Sequence, residues 1–371
     1  MKILHVISSL RLGGAEKLLS DLLPRQKKAG HEVAVYTFLC QRTPIMASLE
    51  HAGVPIIYAN RHEGVYNPTH IIRLRRLMSE YDIVHTHTFS PQLFSAIAHW
   101  GLSYPMLITT EHNTFNRRRN IKGFLLMDRW MYKQYARVIC ISQAVKQQLN
   151  RYISETSSCS CVVHNGIDVA KLSQAAPLDL SQIVAISSRT DRFVLMVSAF
   201  RWEKDQKTLI KAFMDLPSNY HLLFAGTDLQ GLQAECEQLV EKLNLQHRVH
   251  FLGVRTDIPN LLKAVDVVVQ STHVDGFCLA AVEGMAAGKP VVVSDVPGIR
   301  DIVDGYGVLF PHGDAEALAR VIQELCENPD YAAMIAARCQ QRAKEFDISK
   351  MVAGYDALYH EIYDESCLRK N

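Results

Sequence analysis

The sequence predicts an α/β protein of two domains, each a parallel β-sheet with helices on both faces. The chain has 371 residues, which exceeds one typical domain and makes two the expected number. Residues 265–294 also show the pattern of a buried strand, a loop, a helix and a second buried strand. That unit is the one from which parallel sheets are built.

Each part of this unit has its own signal in the sequence. The apolar run 265–269 predicts the first strand, and apolar residues at helical spacing over 279–286 predict the helix. Gly288 and Pro290 end that helix, and the apolar run 291–293 begins the next strand.

The loop between strand and helix is the predicted ligand site. In parallel sheets, ligands bind beyond the carboxyl ends of the strands, which is where Asp275 and Gly276 fall. A helix start favours an anion such as a diphosphate. Glu283, one turn further on, is able to accept two hydrogen bonds from a vicinal diol such as a ribose. Three backbone N–H groups open the helix and are expected to face the anion: those of Phe277, Cys278 and Leu279.

This segment resembles the signature of the retaining family-four glycosyltransferases. It has an acid, then Gly-Phe, then Glu after seven intervening residues, and then Met-Ala-Ala-Gly-Lys-Pro-Val. The resemblance implies the GT-B architecture of two facing Rossmann-like domains, with the first acid on the donor sugar and the second on the nucleotide ribose. The chain departs from the family pattern at Asp275 (usually Glu), Cys278 (commonly Gly) and Gly284 (commonly Ala). An ordinary α/β crossover with a glycine-bearing turn is the alternative.

Composition and charge exclude some classes of protein. Hydrophobic residues make up 48% of the chain and charged residues 21%, as in a globular protein with a sizeable core. The net charge of +2 argues against binding nucleic acid through bulk electrostatics. No apolar run is long enough to span a bilayer. The nine Cys are scattered and odd in number, so we expect reduced thiols and a cytoplasmic location, with possible peripheral contact at the inner face of the membrane.

The first domain is predicted over 1–170 as the acceptor side. Gly13 and Gly14 open the helix after the first strand, so their N–H groups are expected to face an anion. The resemblance places this loop beside the donor diphosphate and the acceptor. A simple tight turn is the alternative, and the pattern lacks the G-x-G-x-x-G of a nicotinamide site. The predicted strands of this domain are 2–8, 31–38, 54–59, 81–89, 105–115 and 137–142.

Three histidines fall near strand ends in this domain. His112 follows the fifth strand, in the crevice region. The resemblance implies that the histidine of a Thr-x-His at this place contacts the donor sugar and affects catalysis. The alternative is a loop histidine without a role. His85 and His87 alternate on the fourth strand and share a face. No Cys, Asp or Glu nearby completes a metal set, so capping or acceptor contacts are expected.

Residues 117–137 predict a basic helix with seven Lys or Arg, one acid and interleaved aromatic residues. Such a helix suits an anionic membrane surface. A helix with one face in the core and the other in solvent is equally compatible with the pattern. Our hypothesis is that this region approaches a lipid-linked or otherwise anionic acceptor.

The second domain is predicted over 192–345 as the nucleotide-sugar domain. Residues 171–191, rich in Ser and Ala, are the expected linker, and 346–371 the expected C-terminal helix that returns to the first domain by resemblance.

The family pattern Gly-Arg-x-x-x-x-Lys-Gly, whose Arg and Lys clamp the donor diphosphate, has its counterpart after the first strand of this domain. Lys204 falls on the Lys, but Ala199 falls on the Arg. Arg201 lies two residues on, and period two of a strand would keep it on the same face, so we expect Arg201 to substitute. Two solvated charges are the alternative. Arg255 follows another strand end, in the segment where the family contacts the base.

The chemistry expected from this pattern needs no metal and no cofactor. The chain has no Asp-x-Asp pair, which other glycosyltransferases use to hold a divalent metal against the diphosphate. Lys204, Arg201 and the helix start are placed to stabilise charge on the leaving diphosphate. The resemblance implies retention, by front-face attack with the leaving phosphate accepting the proton. The expected catalytic residues are His112, Lys204 and Asp275, with His112 orienting the donor sugar.

Three hypotheses for the function remain open at this point. The first is transfer from a nucleotide-sugar, with a UDP-sugar favoured, to a glycan or lipid-linked acceptor in polysaccharide or glycoconjugate synthesis. The second is a nucleotide-sugar epimerase, for which the sequence shows no acid/base signature. The third is a non-catalytic partner that binds a sugar nucleotide, suggested by the departures at Ala199 and Asp275.

Overall fold

The computed structural model describes residues 1–371 apart from 12, 61–62, 115, 185–187, 189, 229 and 369–371. The chain forms two compact units. The first comprises Met1–Gly166 together with Ile348–Asn371, and the second comprises Ile167–Asp347. Each unit contains one parallel sheet covered by helices, which confirms the predicted α/β class.

The first unit is built on a seven-stranded parallel sheet of order β3-β2-β1-β4-β5-β6-β7. Its central strands are buried on both faces, although they also carry polar residues such as His5, Thr109 and Thr110. The strands are β1 (Lys2–Ile7), β2 (Glu32–Thr37), β3 (Ile56–Tyr58), β4 (Ile83–His87), β5 (Met106–Glu111), β6 (Arg137–Cys140) and β7 (Ser160–Val162). The helices of this part of the chain are α1 (Gly14–Lys28), α2 (Pro44–His51), α3 (Thr69–Met78), α4 (Phe89–His99), α5 (Phe124–Tyr132) and α6 (Gln143–Tyr152).

The second unit is built on a six-stranded parallel sheet of order β10-β9-β8-β11-β12-β13. The order reverses between β8 and β11, so these strands are neighbours although far apart in sequence. The strands are β8 (Arg192–Val197), β9 (Tyr220–Ala225), β10 (Val249–Phe251), β11 (Val267–Gln270), β12 (Val291–Ser294) and β13 (Val308–Phe310). The helices are α7 (Val169–Ser173), α8 (Gln206–Ala212), α9 (Leu232–Lys242), α10 (Ile258–Ala264), α11 (Leu279–Ala286), α12 (Ile299–Val303), α13 (Ala315–Glu327) and α14 (Pro329–Ala343).

The C-terminal helix α15 (Ile348–Leu368) belongs to the first unit. It packs against α1 and places fully buried side chains in the core of that unit, among them Tyr355, Tyr359 and Ile362. Two of these are tyrosines, and a buried phenol needs a hydrogen-bond partner. Both have one inside the unit.

The segment predicted as a linker, 171–191, is part of the second unit in the structure. Its first residues complete α7, whose Leu172 is buried, and Leu180 is buried a little further on. Apolar anchoring of this kind ties the segment to the domain that follows it. Residues 185–187 and 189 of the predicted linker lie outside the described residues.

The basic stretch 117–137 is not one helix. It forms a 3₁₀ turn at Arg117–Asn120, the helix α5, and then strand β6. Gly123, with a φ of 93°, separates the turn from the helix. Several of its cations point inward: Arg118 lies 3.2 Å from the fully buried Asp128, and Arg119 lies 3.5 Å from Glu111. The stretch therefore owes much of its basic composition to internal ion pairs. Within the described residues, no helix has the length and apolar character needed to cross a bilayer.

Candidate functional site

Two loops meet where β8 and β11 end, at the point where the strand order of the second sheet reverses. They comprise residues 198–205 and 271–278. The hydroxyl of Thr272 donates to the carbonyl of Glu203 at 2.5 Å, and the backbone N–H of His273 donates to the same oxygen at 2.8 Å. The hydroxyl of Ser271 donates to the carbonyl of Asp205 at 3.0 Å. These bonds hold the two loops together at the place where parallel sheets bind ligands.

An ion pair joins the two loops at their centre. The ammonium of Lys204 donates to Oδ2 of Asp275, and the two side chains are 25% and 11% exposed. The other oxygen of Asp275, Oδ1, accepts the backbone N–H of Phe277 at 3.1 Å and that of Cys278 at 2.8 Å. The structure thus brings together two of the three residues predicted to be catalytic, Lys204 and Asp275.

The ionisation of this pair follows from burial and mutual attraction. Burial alone would raise the pKa of Asp275, but the Lys204 ammonium holds it below its usual value. Burial opposes the charge of Lys204, and Asp275 overcomes this effect and raises the pKa of the ammonium. Both groups are therefore charged at neutral pH. Burial, reinforced by Asp275, raises the pKa of the Cys278 thiol, so this cysteine is not a thiolate nucleophile.

The expectation that three N–H groups open α11 free for an anion needs correction. Two of them, those of Phe277 and Cys278, donate to the Asp275 carboxylate. The physical reason is the shorter side chain: aspartate readily bonds to the backbone two or three residues ahead, as in an Asx turn. Leu279 begins α11, after Cys278 with its left-handed φ of 59°. An anion at this helix start would have to compete with Asp275 or meet the N–H of Leu279.

Glycines permit two close approaches behind this loop. A Cβ on Gly298, whose φ is +95°, would lie 2.1 Å from the carbonyl oxygen of Asp275, with which Gly298 forms a parallel bridge. A Cβ on Gly284 would lie 2.9 Å from a methyl of Val268. Gly284, one of the departures from the family pattern, therefore lets α11 lie close against β11.

The other predicted residues of the second unit differ in burial and in their partners. Gly276 is buried between Asp275 and the helix, and Glu283 is half-buried one turn into α11. Arg201 is exposed on extended backbone, with a φ of −138°, although β8 has already ended at Val197. Arg255 is held in a two-pronged ion pair by Asp257, at 2.8 and 2.5 Å. Arg255 is therefore committed to its own loop, whereas the structure assigns Arg201 no ion pair among the described residues.

Sequence reasoning missed a cluster beside Lys204. Asp205, His273 and His312 place one potential metal-ligating atom each within 4.8 Å of one another. His273 Nδ1 lies 2.6 Å from His312 Nε2, and His273 Nε2 lies 3.7 Å from Asp205 Oδ1. The three residues lie at least 39 positions apart in the sequence, so their spacing gave no signal. They are candidate ligands for a transition metal ion.

The first unit carries the remaining predicted residues. Gly13 caps α1 and Gly14 is its first residue, so this loop does open a helix as expected. The Glu16 carboxylate occupies the space beside Gly13, where a Cβ would lie 2.3 Å from Oε2. A carboxylate there disfavours an anion at this helix start. His112 lies just beyond β5, as predicted, and is partly exposed.

His112 is joined to the buried histidines of β1 and β4. Its Nε2 lies 3.2 Å from Nδ1 of His87, whose Nε2 lies 3.1 Å from Nδ1 of His5. His5, His85 and His87 are fully buried and form another group that could hold a metal ion. Burial lowers the pKa of His112 to about 4, with a smaller opposing effect from Glu111, so the ring is neutral at pH 7. The prediction of simple capping or acceptor contacts for His85 and His87 missed this internal network.

Comparisons with known proteins bear on both units. Residues 12–171 match the family model described as Glycosyltransferase Family 4, and residues 183–346 match Glycosyl transferases group 1. An uncharacterized glycosyltransferase of Methanocaldococcus jannaschii is 28% identical over 76% of this chain and 76% of its own. The UDP-Gal:alpha-D-GlcNAc-diphosphoundecaprenol alpha-1,3-galactosyltransferase of Escherichia coli is 25% identical over 78% of each chain.

A solved structure is similar over nearly the whole chain. Anabaena HepE in complex with UDP-glucose is 25% identical and covers 97% of this chain and 100% of its own, with a TM-score of 0.86. The similarity at this level confirms the predicted GT-B architecture.

Proposed function

This chain belongs to the glycosyltransferases described by the models Glycosyltransferase Family 4 and Glycosyl transferases group 1, and we propose that it transfers a sugar from a UDP-sugar to a glycan or lipid-linked acceptor. The observation that carries the proposal is the ion pair of Lys204 with Asp275 at the helix start of α11, where the strand order of the second sheet reverses. The relatives support the donor and acceptor classes. HepE was solved with UDP-glucose, and the E. coli relative is named for UDP-Gal and a diphosphoundecaprenol-linked sugar.

We assign the donor to the second unit residue by residue. The ammonium of Lys204, the guanidinium of Arg201 and the N–H of Leu279 bind the diphosphate, and Glu283 binds the ribose. Asp275 has two roles: it holds Lys204 in place and faces the sugar hydroxyls. Because Asp275 holds both Lys204 and two N–H groups, diphosphate binding proceeds by exchange of these partners.

The reaction step that the protein must accelerate is departure of the diphosphate. Cleavage of the sugar–phosphate bond leaves an additional negative charge on the phosphate, and fixed cations that already point at it lower the barrier. We propose retention by front-face attack: the acceptor hydroxyl bonds to the anomeric carbon as the sugar–phosphate bond breaks, and the phosphate oxygen takes the hydroxyl proton. His112 orients the donor sugar as a neutral hydrogen-bonding group.

Transfer is tested by following nucleotide release. The purified protein is incubated with UDP-glucose, UDP-galactose or UDP-N-acetylglucosamine, with and without lipid-linked or oligosaccharide acceptors. Release that depends on acceptor, with the glycoside product detected by mass spectrometry, is the expected result. Isomerised donor without product would identify an epimerase and overturn the proposal.

A non-catalytic sugar-nucleotide-binding protein is the second candidate. The observation that favours it is that Asp275 occupies two N–H groups at the helix start and pairs with Lys204, so the site is partly self-satisfied. Saturable UDP binding without turnover on any acceptor would select this function. The same release assay therefore separates the two candidates.

Transfer is expected to be independent of divalent metal. We propose that Lys204, Arg201 and the start of α11 supply the charge that a metal supplies in other enzymes. Treatment with EDTA followed by gel filtration should change kcat by less than about twofold, since no metal–diphosphate contact is lost. Added Mn²⁺ or Mg²⁺ should have an equally small effect. A loss of activity with EDTA that Mn²⁺ restores would show that a metal takes part.

We further propose that the surface around α5 contacts anionic membrane. Leu126 is 72% exposed and lies one turn before Trp130, which contacts Trp100 edge-on at a ring distance of 6.3 Å. Trp100 is itself 68% exposed. Exposed Lys122 and Lys133 flank α5 and supply positive charge. An apolar patch beside cations is typical of surfaces that lie on anionic lipid.

Vesicle binding tests this surface. The Leu126→Glu variant should bind vesicles of 70% phosphatidylcholine and 30% phosphatidylglycerol about tenfold more weakly than the wild type, because a leucine that inserts is worth about 1.5–3 kcal/mol. Met334→Glu, which alters an exposed apolar residue of α14, is the matched control and should bind as the wild type does. Equal binding of both variants, or no binding of the wild type at low salt, would contradict the proposal.

A further inference from the structure

The core of the first unit contains a continuous chain of hydrogen bonds that ends at His112. It starts at Gln26 of α1, whose Oε1 lies 2.9 Å from His5 Nε2. His5 Nδ1 lies 3.1 Å from His87 Nε2, and His87 Nδ1 lies 3.2 Å from His112 Nε2. Gln26, His5 and His87 are all at most 2% exposed. Each inner ring thus uses both of its nitrogens inside the chain.

The rings of this chain are neutral, which makes their tautomers depend on one another. Burial lowers the pKa of His5 to about 4 and takes that of His87 well below its usual value. A neutral imidazole has one N–H and one bare nitrogen. If Gln26 Oε1 accepts from Nε2–H of His5, then Nδ1 of His5 is bare and accepts from Nε2–H of His87. Nδ1 of His87 is then bare as well and accepts from Nε2–H of His112. His112 therefore carries its proton on Nε2, and its Nδ1 is bare.

The orientation of the Gln26 amide selects this direction over its reverse. The Gln26 Nε2 group donates to the hydroxyl of Tyr359 at 3.4 Å, and that hydroxyl lies 2.6 Å from Nδ1 of His85. A phenol O–H is a stronger donor than a neutral imidazole N–H, and 2.6 Å is a distance typical of an O–H donor. Tyr359 therefore donates to His85, and its oxygen is left to accept from Gln26. This leaves Oε1 of Gln26 as the acceptor for His5.

A metal ion is a poorer explanation for these histidines. Every ring nitrogen of His5, His85 and His87 already has a hydrogen-bond partner: His85 has Tyr359 and, at 2.7 Å, Thr110. Coordination of His5, His85 and His87 would break bonds in a core where a lost partner is costly. His112 Nδ1, at the open end, has no hydrogen-bond partner among the described residues.

We propose that Gln26, His5 and His87 are positioning residues that fix His112 as its Nε2–H tautomer, so that Nδ1 is a permanent hydrogen-bond acceptor for a substrate hydroxyl. The hydroxyl as the partner of Nδ1 rests on the proposed function. The tautomer itself does not, because it is set inside the first unit. A fixed acceptor recognises an O–H group and disfavours a substrate that presents only an acceptor there.

Nitrogen NMR of the full chain, labelled with ¹⁵N-histidine and free of donor and acceptor, tests the inference. His112 is assigned by the His112→Gln variant. We expect one tautomer signature at pH 7, with the protonated-type shift at Nε2 and the bare-type shift at Nδ1. A protonated Nδ1, a signature averaged between tautomers, or shifts of His5 and His87 on addition of Zn²⁺ would overturn the proposal. Failure of the transfer assay would not overturn the assignment of the tautomer, since the NMR sample contains no substrate.

Two variants show whether the chain of hydrogen bonds from Gln26 to His112 sets the tautomer of His112. Tyr359→Phe removes the acceptor that fixes the Gln26 amide, so the amide can present either Oε1 or Nε2 to His5, and His112 should gain a share of the Nδ1–H tautomer. Gln26→Met removes the first link and should give a mixture of both tautomers. Tyr355→Phe is the matched control: its hydroxyl lies 3.4 Å from Thr110 Oγ1 and, among the residues that the structure describes, contacts none of Gln26, His5, His87 and His112, so His112 should keep the wild-type signature. An unchanged His112 in both test variants, or a change in Tyr355→Phe, would refute the chain as the cause.

Discussion

Lys204→Ala should lower kcat for sugar transfer about 10²–10³-fold while changing the KM for the donor much less. Lys204 lies at the junction of the two loops and is held there by Asp275. Its charge is stabilising mainly when the diphosphate departs, because only then does the additional negative charge develop. An interaction stronger in the transition state than in the ground state appears in kcat. Steady-state kinetics with a UDP-sugar and its acceptor measure both constants.

Lys207→Ala is the matched control for this variant. Lys207 lies in α8, three residues after Lys204, and its ammonium forms an exposed pair with Glu235 at 2.6 Å. Lys207→Ala removes one positive charge from the domain, as Lys204→Ala does, but leaves the charge at the junction of the two loops unchanged. The kcat of Lys207→Ala should therefore stay within about twofold of the wild type. A Lys204→Ala enzyme with near wild-type kcat and only a raised KM would contradict the assigned role. Circular dichroism of both variants checks that the fold is intact.

Asp275→Ala should destabilise the second unit by about 2–4 kcal/mol. The substitution removes the partner of a largely buried ammonium and also the acceptor of two backbone N–H groups. Breaking a buried pair costs about 3–5 kcal/mol, and Lys204 recovers part of this because a quarter of its side chain is exposed. Loss of the acceptor for the N–H groups of Phe277 and Cys278 adds about 1 kcal/mol. Urea denaturation followed by circular dichroism gives the change in the free energy of unfolding.

One further substitution separates the ion pair from the Asx turn, and a second serves as a control. Asp275→Asn keeps an oxygen that accepts the N–H groups of Phe277 and Cys278, so it should lose less stability than Asp275→Ala. Asp295→Ala removes an exposed ion pair with Arg300 in the same unit and should cost less than about 1 kcal/mol. If Asp275→Ala costs no more than Asp295→Ala, the pair does not hold the loops together.

The sheets could be predicted from sequence because each strand carries its own local signal. Buried parallel strands read as short apolar runs, as at 265–269 and 291–293, and the structure has strands within one or two residues of both. The prediction of one basic helix over 117–137 was wrong because the basic composition of this stretch has two causes. Arg118 and Arg119 are paired with buried acids, and composition alone does not separate inward from outward charge.

The site could be placed but not detailed from sequence. The position of Asp275 at the mouth of the second sheet follows from the strand–loop–helix pattern and the rule for carboxyl ends. The hydrogen bonds that Asp275 accepts from two N–H groups depend on the loop conformation. That conformation depends in turn on Asp275 having one methylene fewer than the glutamate usual at this place in the family. The link from His5 to His87 depends on β1 and β4 being neighbours, 82 residues apart. Such contacts exist only once the strand order is known.

A crystal structure of the protein soaked with UDP tests the central claim most directly. The account predicts that the diphosphate contacts the Lys204 ammonium and the N–H of Leu279, and that both ribose hydroxyls bond to Glu283. Asp275 should then have given up at least one of its present partners. UDP seated away from α11, with the Lys204–Asp275 pair unchanged, would contradict the account.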